Sequence, residues 1–470
     1  MHGAAALRSR LAELGIDLPS DDAPLSAPAS PLAAPWDLSA GLAAPNRWVV
    51  QPMEGWDALA DGTPSDLTYR RWRRFGRSGA GLVWGGEATA VAPEGRANPN
   101  QLVVTDETAP AIGALRRALL DAATDAGNPT PVVGLQLTHS GRWSRPDRDG
   151  RSPLIAFRHS LLDERVGVTG DDAVLSDDAV EAVVGSFARA AALAQDEGFD
   201  FVDVKHCHGY LLHEFLAARR RPGPWGGPSI DDRTRLIERV VSAVHDSAPG
   251  LPIGVRLSLF DLVPHRRGRS GRGEPERVAL PYTDAFGALA ADPTRPDLTE
   301  PLALVRRLPA LGVSMLNVSG GSPYYVPHAQ RPAAFPPSDG YEPPEDPLVG
   351  VARLLGAARA AQREVPAMPV VSTGWSYLQE YLPQVAQACV RDGWFGGVGI
   401  GRMMLAYPEL PSDVLSGRPI DTRRLCRTFS DCTTAPREGF VSGCYPLDPF
   451  YRALPERAGV LAAKRRERET

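Results

Sequence analysis

From about residue 46 to residue 416, short apolar runs alternate with stretches whose apolar residues recur every three to four positions. The short runs predict strands at Arg47–Met53, Gly81–Ala88, Pro131–Thr138, Phe201–Lys205, Ile253–Ser258, Ser314–Ser319, Pro369–Thr373 and Gly396–Gly401. The longer repeats predict helices near 65–76, 108–126, 177–197, 231–246, 302–310, 348–363, 377–391 and 408–416. Ser176 opens one of them as a cap, with Asp177 and Asp178 at the positive helix start. Val180, Val183, Val184, Phe187 and Ala191 then fall on one stripe. Strict strand–helix alternation implies a parallel sheet with helical crossovers, and eight units are the number that closes a (β/α)8 TIM barrel. An open doubly wound sheet is the alternative. The expected organisation is an Ala/Pro-rich extension (1–41), the barrel (42–416) and a cysteine-containing C-terminal segment and tail (417–470).

Composition narrows this further. A 43% hydrophobic and 23% charged chain is globular, and its 470 residues suffice for a large buried core. Net charge is −5 with no long basic run, so no nucleic-acid partner is expected. Scattered charges in Met1–Leu18 exclude a secretory signal, and no apolar run is long enough to span a membrane. A cytoplasmic protein acting on a small molecule is the expectation. The 45 prolines and 46 glycines concentrate near 18–45, 262–300 and 320–347, which read as a linker and two long loops. Five dispersed cysteines do not form a secreted disulfide framework.

The stretch from Asp200 to Leu212 stands out. An apolar strand runs into Lys205, His206, Cys207, His208 and Tyr210. The chain has two lysines, Lys205 and Lys464, and the rest of its 51 basic residues are arginine. A lysine presents a compact charge and, when buried, can lose its proton, which arginine cannot. Two readings of Lys205 stand side by side: a substrate-binding cation, or an ion pair with Asp203 on the same strand face. His206 is expected to pack or cap, since His-Cys-His alone is a weak metal signal. Arg256, in an otherwise apolar strand, must either pair inside the protein or meet a ligand.

Several ordered motifs carry a family resemblance. They are Asn46-Arg47 with Gln51-Pro52-Met53, the run Gly81–Gly95, and the run Gln136–Arg142. Gly198-Phe199-Asp200 follows, ahead of His208–Leu211, then Gly226-Gly227 with Asp232-Arg233, Val255–Ser258, Gly374, and Gly401-Arg402. In this order, each near a strand end, they resemble the Old Yellow Enzyme family of flavin mononucleotide (FMN)-dependent reductases over roughly 42–411. The resemblance implies a single (β/α)8 barrel binding one FMN. Pro52, Met53 and Ala88 would line its ring, with Glu54 beside them, and Gln136 would meet the pyrimidine edge. Arg256 would stabilise the reduced ring, and Gly374, Gly401 and Arg402 would hold the phosphate. Tyr210 would supply a proton, and His208 with Lys205 would grip a substrate oxygen.

Three departures from the family pattern matter. Lys205 stands where relatives carry His, and binds an oxygen anion more strongly than a neutral imidazole. Glu54 stands where they carry Thr or Cys. It either neutralises Lys205 across the site or caps the next turn. In the C-terminal segment, Cys432 and Cys444 keep the last spacing of a four-cysteine iron–sulfur motif found in the dienoyl-CoA reductase and trimethylamine dehydrogenase branch. Leu425 and Thr428 occupy the other two positions and Cys426 is one place out of register, so no cluster and no metal is expected. Tyr324 and Tyr325 are expected to cover the substrate or pack. The Arg/Gly-rich run His265–Glu274 is expected to be a solvated loop. The implied activity is NAD(P)H-driven reduction of an activated C=C bond. The alternatives are an amine or saturated-ring dehydrogenase or demethylase, a non-redox binding barrel, and a lysine-based lyase.

Overall fold

The computed structural model describes residues 3–39 and 41–469. Eight parallel strands close into a barrel: Trp48–Val50, Leu82–Val83, Val132–Thr138, Phe201–His206, Ile253–Ser258, Val313–Ser319, Val370–Ser372 and Gly397–Ile400. Closure runs through the pairing of Trp48–Val50 with both Gly397–Ile400 and Leu82–Val83, and of the latter with Val132–Thr138. Each predicted strand is present. Gly81–Ala88 differs in being two pieces, Leu82–Val83 and Ala88–Ala90, because Gly86 turns at φ 59° against the Trp72 ring. Crossover helices begin where side chains can satisfy their first N–H groups. Ser65 accepts from Leu67 and Thr68, Ser176 from Ala179, and Ser229 from Asp232.

The N-terminal end of the barrel is plugged by bulk. Trp84 packs edge-on to Phe201 with ring centroids 5.3 Å apart, and Trp36 and Leu38 close the floor. Glycines make the room: a Cβ at Gly134 would lie 2.3 Å from the Phe201 ring, and one at Gly397 would lie 2.6 Å from Trp36. Trp36 belongs to a hairpin in which Trp36–Ser39 pairs with Leu42–Ala44. Part of the segment read as a linker is therefore ordered by its own apolar residues, and the hairpin straddles the 41/42 boundary. Leu7, Leu11 and Leu32 enter the same core as the barrel. The segment 262–300, read as a loop, holds two short hairpins, His265–Arg267 with Gly273–Pro275 and Ala288–Leu289 with Asp292–Pro296, so the Arg/Gly-rich run is paired backbone; the segment 320–347 holds the short helix Pro327–Gln330. Among the described residues no helix is long and apolar enough to cross a membrane.

Above the plug the interior turns polar. Gln51 and Asn317 exchange amide hydrogen bonds of 2.7 and 3.0 Å across the barrel. In the strand register Gln136 sits beside Asp203 and Lys205 beside Arg256. Neighbouring strands thus bring four polar side chains to the C-terminal end.

Candidate active site

A cavity of about 1580 Å3, open mouth included, lies over these residues. Pro52, Met53, Glu54, Ala88, Gln136, Lys205, His208, Tyr210, Arg256, Gly374, Gly401 and Arg402 all line it. The C-terminal segment roofs it with Cys432, Thr433, Arg437, Cys444 and Asp448 among others, and Asp448 is clamped by Arg70 at 2.8 and 2.9 Å.

Tyr210 donates its phenolic hydrogen bond to Glu54 Oε2 and lies 3.0 Å from the Tyr324 hydroxyl. Glu54 Oε1 accepts from Trp56 Nε1 at 2.8 Å and faces Asn98 Nδ2 at 3.4 Å. Glu54 therefore neither pairs with Lys205 nor caps a turn; both its oxygens are committed to other side chains. Burial first, then the Glu54 charge, raises the Tyr210 pKa well above its ordinary value. Glu54→Gln is expected to bring that pKa down, read by NMR of tyrosine labelled at the phenolic carbon. An unmoved Tyr210 resonance would show that the phenol does not depend on Glu54.

The Lys205–Asp203 ion pair is not formed. Asp203 accepts instead from Gln136 Nε2 at 2.6 Å, its cross-strand neighbour. The Lys205 ammonium lies 3.5 Å from the centre of the Tyr210 ring, and burial lowers its pKa to about 8. His208 is fixed by Ser319 Oγ at 2.7 Å from Nε2, and burial drives its pKa well down, so it is neutral. It occupies the left-handed region at φ 69°, uncommon for a residue other than glycine. The next residue, Gly209, also has positive φ, and a Cβ there would strike the Tyr325 hydroxyl at 2.7 Å. His206 packs in the wall as expected, with burial lowering its pKa to about 3.

Around the cavity, several buried guanidinium atoms have no hydrogen-bond partner among the described residues: Arg256 Nε, Arg331 Nη2 and Arg402 Nη1. Arg256 Nη1 donates to the Pro52 carbonyl at 3.1 Å, and Arg402 Nη2 to that of Pro332 at 2.8 Å. Burial, then Arg437 and Arg402, lowers the Arg331 pKa to about 9. Like charges crowded in a buried corner call for an anion.

Sequence reasoning missed Arg331. It sits in a Pro-rich connection whose course depends on the C-terminal segment, where Thr433 Oγ1 accepts from it. It also missed Arg71, which lines the cavity and whose buried guanidinium bridges Asp57 and Glu87. Arg71→Ala is expected to cost about 3–5 kcal/mol, because it strands two buried carboxylates; chemical denaturation measures it. Tyr324 lines the cavity, backed by Trp143 in a stack 4.3 Å apart and 8° from parallel, whereas Tyr325 turns away to donate to Asp261 at 2.5 Å.

The former cluster positions are put to other uses. Leu425 is buried in the core, and Thr428 Oγ1 accepts from the Ala334 N–H at 2.9 Å. Among the described residues no three His, Cys, Asp or Glu side chains are arranged to hold a metal ion.

Residues 33–272 match the family described as NADH:flavin oxidoreductase / NADH oxidase. An NADPH dehydrogenase of Bacillus pumilus is 31% identical over 236 residues, 49% of this chain and 64% of that protein. One from Geobacillus thermodenitrificans is 26% identical over 381 residues, covering 79% and 90%. The chain thus spans somewhat under two thirds of the length of the first of these relatives. Among solved structures, a 2-naphthoyl-CoA reductase complexed with 2-naphthoyl-CoA superimposes with a TM-score of 0.65 at 18% identity, over 89% of this chain and 57% of that one. At that identity the likeness is one of fold.

Proposed function

Because the chain belongs to the NADH:flavin oxidoreductase / NADH oxidase family, we propose that it is an FMN-dependent oxidoreductase that uses NAD(P)H to reduce an activated carbon–carbon double bond. The observation that carries this reading is convergence. One cavity gathers a proton-bearing phenol, a buried ammonium and unpartnered guanidinium atoms. The residues fit FMN. Arg331 and Arg402 would hold the phosphate beside Gly374, whose φ of 100° suits glycine. Pro52, Met53 and Ala88 would line the ring, Gln136 would meet its pyrimidine edge, and Arg256 would favour negative charge on it. When bound, FMN supplies hydride chemistry, taking two electrons from a nicotinamide and passing them to carbon.

The chain's own part is orientation and proton handling. Lys205 holds the activating oxygen of the substrate, and neutral His208, fixed by Ser319, adds an uncharged contact beside it. Tyr210 delivers its proton to the carbon alpha to the activating group. Glu54 keeps the phenol protonated and aligned until then. NAD(P)H and the double-bond substrate occupy the cavity in turn.

One observation favours a second reading. A carboxylate that accepts a hydrogen bond from Tyr210 at the cavity wall is a base that suits proton removal from a saturated substrate, as in a dehydrogenase or demethylase of an amine or saturated ring. The test is the visible spectrum under anaerobic NADPH. Bands near roughly 370 and 450 nm that bleach, then return with 2-cyclohexenone, support the reductase. Bound FMN untouched by NAD(P)H favours the dehydrogenase. Protein that stays colourless after incubation with FMN overturns both.

A further inference from the structure

We propose that the activating group of the substrate is a carboxylate, bound by Lys205, so that the site selects unsaturated acids over neutral enones. This rests on the double-bond reading above and names its substrate class.

Lys205 is 4% exposed, yet among the described residues its ammonium makes no hydrogen bond and no ion pair, only the contact with the Tyr210 ring. The acids that could neutralise it are spent elsewhere. Asp203 accepts from Gln136, and Glu54 accepts from Tyr210, Trp56 and Asn98. On the neighbouring strand stands a second cation, Arg256, which makes the local field more positive. A buried cation without a counter-ion is costly, and an incoming carboxylate removes that cost. A neutral carbonyl oxygen would offer only a partial charge. A carboxylate also gains further negative charge as the β-carbon receives hydride, and a full cation answers this where a neutral imidazole does not. The net change balances as unsaturated carboxylate plus NAD(P)H plus a proton giving saturated carboxylate plus NAD(P)+. The planar Tyr324 face, backed by Trp143, suits a flat conjugated body behind the acid group.

The groups facing the Lys205 ammonium are Glu54 and Tyr210 across the cavity, Arg256 on the next strand, and Asp203 and Cys207 on its own. Burial holds Cys207 up at about 11 and Asp203 at about 6, and it raises Tyr210 well above its ordinary value. Lys205, at about 8, titrates between pH 7 and 9. The ammonium is the binding form. Carboxylate affinity is therefore full below about 8 and falls as pH rises through it.

The experiment is calorimetric titration of the FMN-reconstituted protein with trans-cinnamate and with its isosteric neutral amide, trans-cinnamamide. The acid is expected to bind at least about 10-fold more tightly at pH 7, to lose that advantage by pH 9.5, and to lose it at pH 7 in Lys205→Gln. Equal binding of acid and amide, or a preference that survives Lys205→Gln, overturns the proposal. If that variant does not fold, the pH arm on the unaltered protein decides alone, and an affinity flat to pH 9.5 counts against it. Failure to take up FMN would sink the flavin reading instead. The acid–amide comparison can still be read on the same protein by heat.

Discussion

Tyr210→Phe is expected to slow double-bond reduction by about 10²–10⁴-fold, the range for loss of a positioned general acid. The phenol lines the same cavity as Pro52, Met53 and Ala88, and its hydroxyl is held by Glu54 and Tyr324. The substitution removes one oxygen and leaves the ring against which Lys205 packs. Rapid-mixing kinetics of the prereduced protein with 2-cyclohexenone give the rate, and a solvent deuterium effect present in the unaltered protein is expected to vanish in the variant. A loss under tenfold would place the proton donor elsewhere.

The second large effect concerns the guanidinium corner. Arg331→Ala and Arg402→Ala are each expected to weaken FMN binding by about 10–150-fold, the equivalent of one hydrogen bond to a charged group at about 1.5–3 kcal/mol. The apoprotein is expected to respond with the opposite sign. Burial and neighbouring arginines lower the Arg331 pKa to about 9, so at pH 7 the folded apoprotein carries a charge that desolvation and like neighbours penalise. Removing Arg331 lifts that penalty. Its apoprotein should melt at a higher temperature than the unaltered apoprotein at pH 7, and its FMN-bound form at a lower one. Ultrafiltration with flavin fluorescence measures the first effect and thermal denaturation the second. A variant that lowers both melting temperatures would make Arg331 a packing residue.

The barrel was legible because apolar runs of this length, bounded by Pro and Gly, have few alternatives to a buried parallel strand. Ile253–Ser258 is predicted to the residue. The break near Gly86 was not legible, since it depends on the distant Trp72 ring and on Glu87 turning to meet Arg71. At the site, every residue expected from the family resemblance lines the one cavity. What escaped were the partners. Same-face spacing within one strand suggested Lys205 with Asp203, but an amide on the adjacent strand lay nearer. Glu54 meets Tyr210 across 156 positions of sequence, a separation no local pattern encodes. Arg331 lies in a connection held by the C-terminal segment, so its direction is set by residues a hundred positions later.

The C-terminal roof bears on kinetics as well as shape. Its helix Asp431–Arg437 and the turn around Cys444 are fastened to the cavity mouth through Asp448 with Arg70, Ser442 with the Trp56 N–H, and Thr433 with Arg331. A ligand that reaches under this roof is expected to be retained in part by those fastenings. Its residence time is then expected to depend on the local opening equilibrium of residues 431–448 as well as on the ligand's own contacts. Retention of a covered ligand and the folding of this roof are then expected to be linked, so that each strengthens the other.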